Sequence, residues 1–133
     1  MVKRGSRETI LIIEDEDDIR TFASRMLELE GYRVLRASDG DEGLRLARSN
    51  QVALVLLDLR LPGLDGGAVL SQMKGDPELS SIPVVVFTAS AAAQQRSQAL
   101  AGGAADYLVK PLSATSLRES IARILRQKGK GRR

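Results

Sequence analysis

The sequence contains no cysteine and no histidine. Without cysteine there is no disulfide framework, no thiolate zinc site and no cysteine nucleophile, a composition that suits a reducing compartment. Without histidine there is no Ser-His-Asp triad, no imidazole acid–base chemistry and no imidazole metal ligation. Any catalysis or metal binding must rest on carboxylates, hydroxyls and lysines. Aromatic residues make up 3% of the chain and tryptophan is absent, so no rings are interleaved with the basic C-terminal stretch to stack on nucleic-acid bases. No apolar run approaches the roughly 18–20 residues of a membrane span, and the first seven residues lack the apolar stretch of a signal peptide. These absences predict a cytoplasmic protein without membrane contact.

What is present suits one compact domain: 133 residues, 43% of them hydrophobic, are ample for a single continuous core. The net charge of +3 is unevenly spread. From Arg118 onward seven Lys/Arg against one Glu give +6, which leaves Met1 to Leu117 at −3. The body is therefore mildly acidic, and the basic end reads first as a solvated tail and only second as a nucleic-acid or membrane contact. The domain is expected over residues 8–127, with 1–7 and 128–133 as flexible basic ends. Direct nucleic-acid binding is not expected of it.

Apolar runs of strand length alternate with segments of helical period. Thr9 to Ile13 leads into Ile19, Phe22, Ala23, Met26 and Leu27, spaced as one face of an amphipathic helix, and Gly31 ends that helix. Arg33 to Ala37 carries two arginines and suits an exposed sheet edge. Asp39 followed by Glu42 resembles a capping box opening a helix through Arg48. The uninterrupted run Val52 to Leu57 reads as a central strand covered on both faces. A helix from Gly66 to Lys74, a strand from Val84 to Phe87, a small helix from Gln94 to Ala101 and a short strand from Tyr107 to Val109 follow. The final helix begins after Ser113, with a stripe of Leu117, Ile121, Ile124 and Leu125. Five strands and five helices in strict alternation predict an α/β fold: a doubly wound parallel sheet of order 2-1-3-4-5 with helices on both faces. Ligands then bind beyond the carboxyl ends of the strands.

Four strand ends carry polar residues. Glu14-Asp15-Glu16-Asp17-Asp18 reads first as a solvated turn whose acids complement the next helix dipole, and second as a site for a hard cation. Asp58 could equally be a turn residue before Leu61-Pro62-Gly63 or a carboxylate meeting solvent in a site. Thr88, taken alone, is a structural strand threonine, and Lys110, taken alone, a solvated charge. The predicted topology changes these odds because it brings all four ends to one rim. An acidic cluster, a carboxylate in nucleophile position, a hydroxyl and an ammonium together outline a phosphoryl-acceptor site, which needs cation neutralisation and in-line geometry more than acid–base groups.

The runs I-L-I-I-E-D-E-D-D-I-R, L-V-L-L-D-L-R-L-P-G-L-D-G, V-V-V-F-T-A and Y-L-V-K-P, in this order and spacing, resemble the receiver domains of bacterial response regulators, including the single-domain chemotaxis regulators. The resemblance covers about residues 8 to 127 and implies the flavodoxin-like strand order already predicted. It implies that Asp58 is the phosphorylated residue and that Glu14 and Asp15 form the acidic pair, with Asp15, Asp58 and the main-chain carbonyl of Arg60 ligating Mg²⁺. Thr88, Ala89 and Lys110 would bind phosphoryl oxygens, Tyr107 would turn inward on activation, and Lys110–Pro111 would be a cis peptide. The phosphoryl donor would be a histidine kinase or histidine phosphotransfer protein in trans. A downstream protein target would read the altered surface, and a dimer through the fourth helix, fifth strand and fifth helix is a further implied contact. Glu14 departs from the commoner aspartate, and Arg60 is bulkier than is usual two residues after the acceptor.

Two other readings compete. A Mg²⁺-dependent phosphohydrolase of the haloacid-dehalogenase kind also uses a strand-end aspartate, but it needs a second aspartate where this chain has Arg60. A receiver-like scaffold that binds partners without phosphorylation is opposed by the intact set Asp58, Thr88 and Lys110.

Overall fold

The computed structural model describes residues 8–131, with side chains to 127. The elements in order are β1 (Thr9–Ile13), α1 (Asp17–Leu29), β2 (Arg33–Ala37), α2 (Gly40–Ser49), β3 (Leu54–Asp58), α3 (Gly66–Gly75), β4 (Val84–Thr88), α4 (Ala93–Ala101), β5 (Asp106–Val109) and α5 (Ala114–Gly131). All strand pairs are parallel and the sheet order is β2-β1-β3-β4-β5, as the alternation predicts. The flexible N-terminal end expected at 1–7 lies outside the described residues. At the other end α5 runs past Gln127 to Gly131, while the side chains of 128–133 lie outside the description.

Strand parity sorts the core into two layers. Ile10 and Ile12, Leu54 and Leu56, and Val85 and Phe87 face Ala23 and Leu27 of α1 and Leu117, Ile121 and Ile124 of α5. Their neighbours Leu11, Ile13, Val55, Leu57, Val84 and Val86 face α2, α3 and α4. Apart from the terminal residues Thr9, Asp58 and Thr88, β1, β3 and β4 are therefore apolar throughout, because each presents side chains to a helical layer on both sides. β2 is an edge strand with Arg33 and Arg36 exposed, and Arg36 reaches back to α1, donating through Nε to Ser24 Oγ at 3.0 Å.

Local chemistry sets the helix starts. Asp39 Oδ1 accepts the Glu42 N–H at 2.8 Å while Glu42 Oε1 accepts the Ser38 N–H at 3.0 Å. The expected capping box is present, its return bond reaching one residue further back than Asp39. Asp65 and Ser113 accept the N–H groups of Ala68 and Ser116 and so open α3 and α5. Gly31, at φ +94°, reverses the chain out of α1 as only glycine does readily.

Two expectations shift. β3 starts later than Val52 and includes Asp58, since the ladder to β1 runs from Leu54 to Leu57 and the ladder to β4 from Val55 to Asp58↔Phe87. In α1, Phe22 is 40% exposed although it falls in the predicted stripe. The buried arc is narrower than the apolar arc, and Ser24 is buried in its place with its hydroxyl donating to the Arg20 carbonyl at 2.7 Å.

Candidate functional site

The same parity that builds the core delivers the site. Glu14 follows Ile12 by two positions, Asp58 follows Leu56 and Lys110 follows Leu108, so all three leave the sheet on its α1/α5 side at the carboxyl edge. There Lys110 Nζ lies 2.9 Å from Glu14 Oε1, 3.1 Å from Asp58 Oδ2 and 3.6 Å from Glu16 Oε1. Asp58 is buried, and its other oxygen accepts the Arg60 N–H at 3.0 Å. The Lys110–Pro111 peptide is cis, as the resemblance implied.

Glu14 is the most constrained of the acids. Its side chain is wholly buried, Oε2 accepts the Glu16 N–H at 2.9 Å, and its main-chain carbonyl accepts from the Arg20 guanidinium at 2.8 Å. Arg20 is also paired with Asp17. Oε1 meets Lys110 as an ion pair but has no aligned hydrogen-bond donor. Burial raises the Glu14 pKa from 4.5 to about 7; the Asp58 charge adds to the rise, while the Glu16 N–H and Lys110 oppose it. For Lys110, burial acts to lower the pKa, yet its bonds to Glu14 and Asp58 outweigh burial and the net shift is upward.

The carboxylates of Glu14, Asp15 and Asp58 offer oxygen atoms all within 4.8 Å of one another. One exposed and two buried acids, opposed by a single ammonium and including one buried oxygen without a directed donor, make an all-oxygen donor set of the kind a hard divalent cation such as Mg²⁺ takes. These residues fit that group. Asp15 and the exposed side chain of Arg60 also border an open groove of about 910 Å³ between α3 and α4, with Leu59, Leu61, Leu70 and Gln98.

The other expected residues stand at the carboxyl end of β4, in the loop after it and on β5. Thr88 closes β4, is buried, and its carbonyl accepts the Lys110 N–H at 2.8 Å; Ala89, exposed, follows it. Tyr107 pairs with Val86, is 3% exposed, and its hydroxyl donates to the Ser90 carbonyl at 2.9 Å with Arg96 over its ring. The ring therefore lies inward. Sequence reasoning named Glu16 only as part of an acidic run and missed Arg20 and Phe87. A cation six positions after Glu14 was the only available signal for Arg20, and a phenylalanine in an apolar strand carries none.

A doubly wound sheet whose carboxyl edge gathers acids around one lysine defines a signalling phosphoacceptor class. Residues 10–122 match the response regulator receiver domain model, and the chain belongs to that family of two-component systems. Among curated relatives, the probable transcriptional regulator ycf27 of Guillardia theta is 37% identical over 125 residues, which are 94% of this chain and 48% of that protein. The DNA-binding dual master transcriptional regulator RpaA of Synechocystis is 38% identical over 118 residues, 89% and 49% of the two chains. The chain thus spans about half the length of the curated relatives it matches. Among solved structures, a CheY-like receiver domain protein of Methanospirillum hungatei superposes with a TM-score of 0.86 at 30% identity, covering 95% of this chain and 99% of that one.

Proposed function

We propose that this receiver domain accepts a phosphoryl group on Asp58 from the phosphohistidine of a kinase or phosphotransfer protein and passes the signal on by changing a protein-binding surface. The observation that carries the reading is the placement of Lys110 Nζ between Asp58 and Glu14, at 3.1 and 2.9 Å. An Asp58 carboxylate oxygen forms the new P–O bond as the donor's P–N bond breaks, and the imidazole nitrogen keeps the electron pair and takes up a proton. Lys110 neutralises phosphoryl charge, a task for which its net upward pKa shift keeps it protonated. The Arg60 N–H fixes one Asp58 oxygen and thereby the direction of the other. Mg²⁺, held by Asp15, Asp58 and the Arg60 carbonyl with Glu14 behind them, would supply charge neutralisation at the phosphoryl oxygens.

Thr88 and Ala89 complete the phosphoryl cradle, and Tyr107, joined to the loop after β4 through Ser90, carries the change toward α4 and β5. Leu100 and Val109 are 40% and 38% exposed there, which suits a protein target or a dimer through α4, β5 and α5. No helix among the described residues is long and apolar enough to cross a membrane, in keeping with a cytoplasmic role. Incubation with acetyl phosphate and Mg²⁺, followed by mass spectrometry, should place one acid-labile adduct on Asp58. Asp58→Asn should abolish labelling while the far-UV circular dichroism stays the same; undiminished labelling of the variant overturns the assignment.

A further inference from the structure

The ammonium of Lys110 does more than face three acids: it also lies 5.1 Å from the centroid of the Phe87 ring. Phe87 is fully buried in the α1/α5 layer and pairs in register with Asp58 on one side and Leu108 on the other. The ring thus shares the register row of the acceptor carboxylate and forms the floor of the lysine's position. We propose that Phe87 is a positioning residue, whose ring face holds the Lys110 ammonium inside the Asp58–Glu14 pair and thereby sets the rate at which Asp58 takes up a phosphoryl group. This rests on the reading of Lys110 as the phosphoryl-binding cation.

The physical case turns on where a flexible ammonium would otherwise go. A lysine on a four-carbon stem prefers hydration, and Glu16, 62% exposed at its side chain and 3.6 Å from Nζ, offers a partner in solvent. An aliphatic floor would give Lys110 nothing in exchange for lost water on its underside. An aromatic face does, because its negative quadrupole attracts the cation where water is excluded. Phe87 also fills the core at this row, so a smaller aliphatic side chain would leave a cavity as well as remove the ring face. The ring therefore has two roles, packing and contact with Lys110, which must be separated without a change of volume.

Progressive fluorination separates these roles, since fluorine withdraws the ring's negative face with little change of shape. Mono-, di- and trifluorophenylalanine are incorporated at position 87 of the full chain, and phosphorylation by acetyl phosphate is timed at saturating Mg²⁺. The rate should fall stepwise, by roughly three- to tenfold at the third fluorine, with the melting temperature held. Phe87→Leu should slow the reaction to a similar degree and return the Lys110 ε-methylene protons, shifted upfield by the ring in the wild type, to ordinary positions. A flat fluorine series with normal wild-type labelling overturns the inference alone, as does a rate that tracks melting temperature only. A wild type that takes no label overturns the reading of the site, and the inference with it.

Discussion

The hydroxyl of Tyr107, at the second position of β5, donates to the main-chain carbonyl of Ser90 in the loop before α4 at 2.9 Å. This bond ties the inward ring to the segment that starts α4, a helix whose N-cap Ala92 makes no side-chain cap bond and which buries only Ala99 among its residues. α4 is thus held by few contacts, and the Tyr107 bond is a sizeable share of them. Tyr107→Phe should lower stability by about 0.5–1.5 kcal/mol and shift amide resonances from Ser90 through Arg96. Spectra that change only in β5 would leave α4 independent of the ring.

The raised pKa of Glu14 makes a pH prediction with a definite sign. Its carboxyl binds a proton more tightly in the fold than in the unfolded chain, so its contribution to stability is fully present below 4.5 and is lost as pH rises toward about 7. Glu14→Gln, which cannot ionise, should escape that loss. Measured in chelator, the melting temperature of the variant minus that of the wild type should rise from pH 5 to pH 8. A difference that stays level across this range refutes the assignment of the buried acid.

Asp106 shows the opposite behaviour. Burial acts to raise its pKa, but hydrogen bonds from Ser120 at 2.6 Å, its neighbour's N–H and Arg123 at 2.8 Å outweigh burial, and the net shift is downward. Its carboxylate stabilises the fold above the ordinary value of 3.8, and that stability is lost as pH falls through the lower folded value. Ser120→Ala should cost about 1–2 kcal/mol at neutral pH and move the acid limb of the stability curve upward. An acid limb in the same place would show that Ser120 contributes packing only.

The proposed acceptor role of Asp58 makes Arg60 a candidate for setting the lifetime of the phosphorylated state. Its side chain is exposed beside Asp15 at the groove, while its N–H is fixed on Asp58. From this position the guanidinium can pair with phosphoryl oxygens and cover the line along which water attacks. Arg60→Asn should shorten the half-life of the acyl phosphate several-fold, a loss of ~1.4 kcal/mol of barrier being tenfold in rate. Phosphate release from both proteins under saturating Mg²⁺ decides the matter; equal or slower release from the variant makes Arg60 a bystander.

The sequence by itself determined the alternation of strands and helices, the arginine-bearing edge strand β2, the capped start of α2, the start of α5 after Ser113, and the residue types at each strand end. These are local properties: periodicity, caps and turns involve residues within a few positions of one another. It also placed Glu14, Asp15, Asp58 and Lys110 at one rim, because strict alternation leaves few sheet orders. Only the tertiary structure decided that Glu14 is wholly buried with a proton affinity near neutrality, that Arg20 grips its carbonyl, and that Ser120 and Arg123 together satisfy Asp106. It alone seated Lys110 over Phe87 and left Phe22 half out of the core. Each of these depends on distances and burial between residues far apart in the chain, which are set by sheet register and by the fit of helices onto the sheet, and no local pattern encodes them.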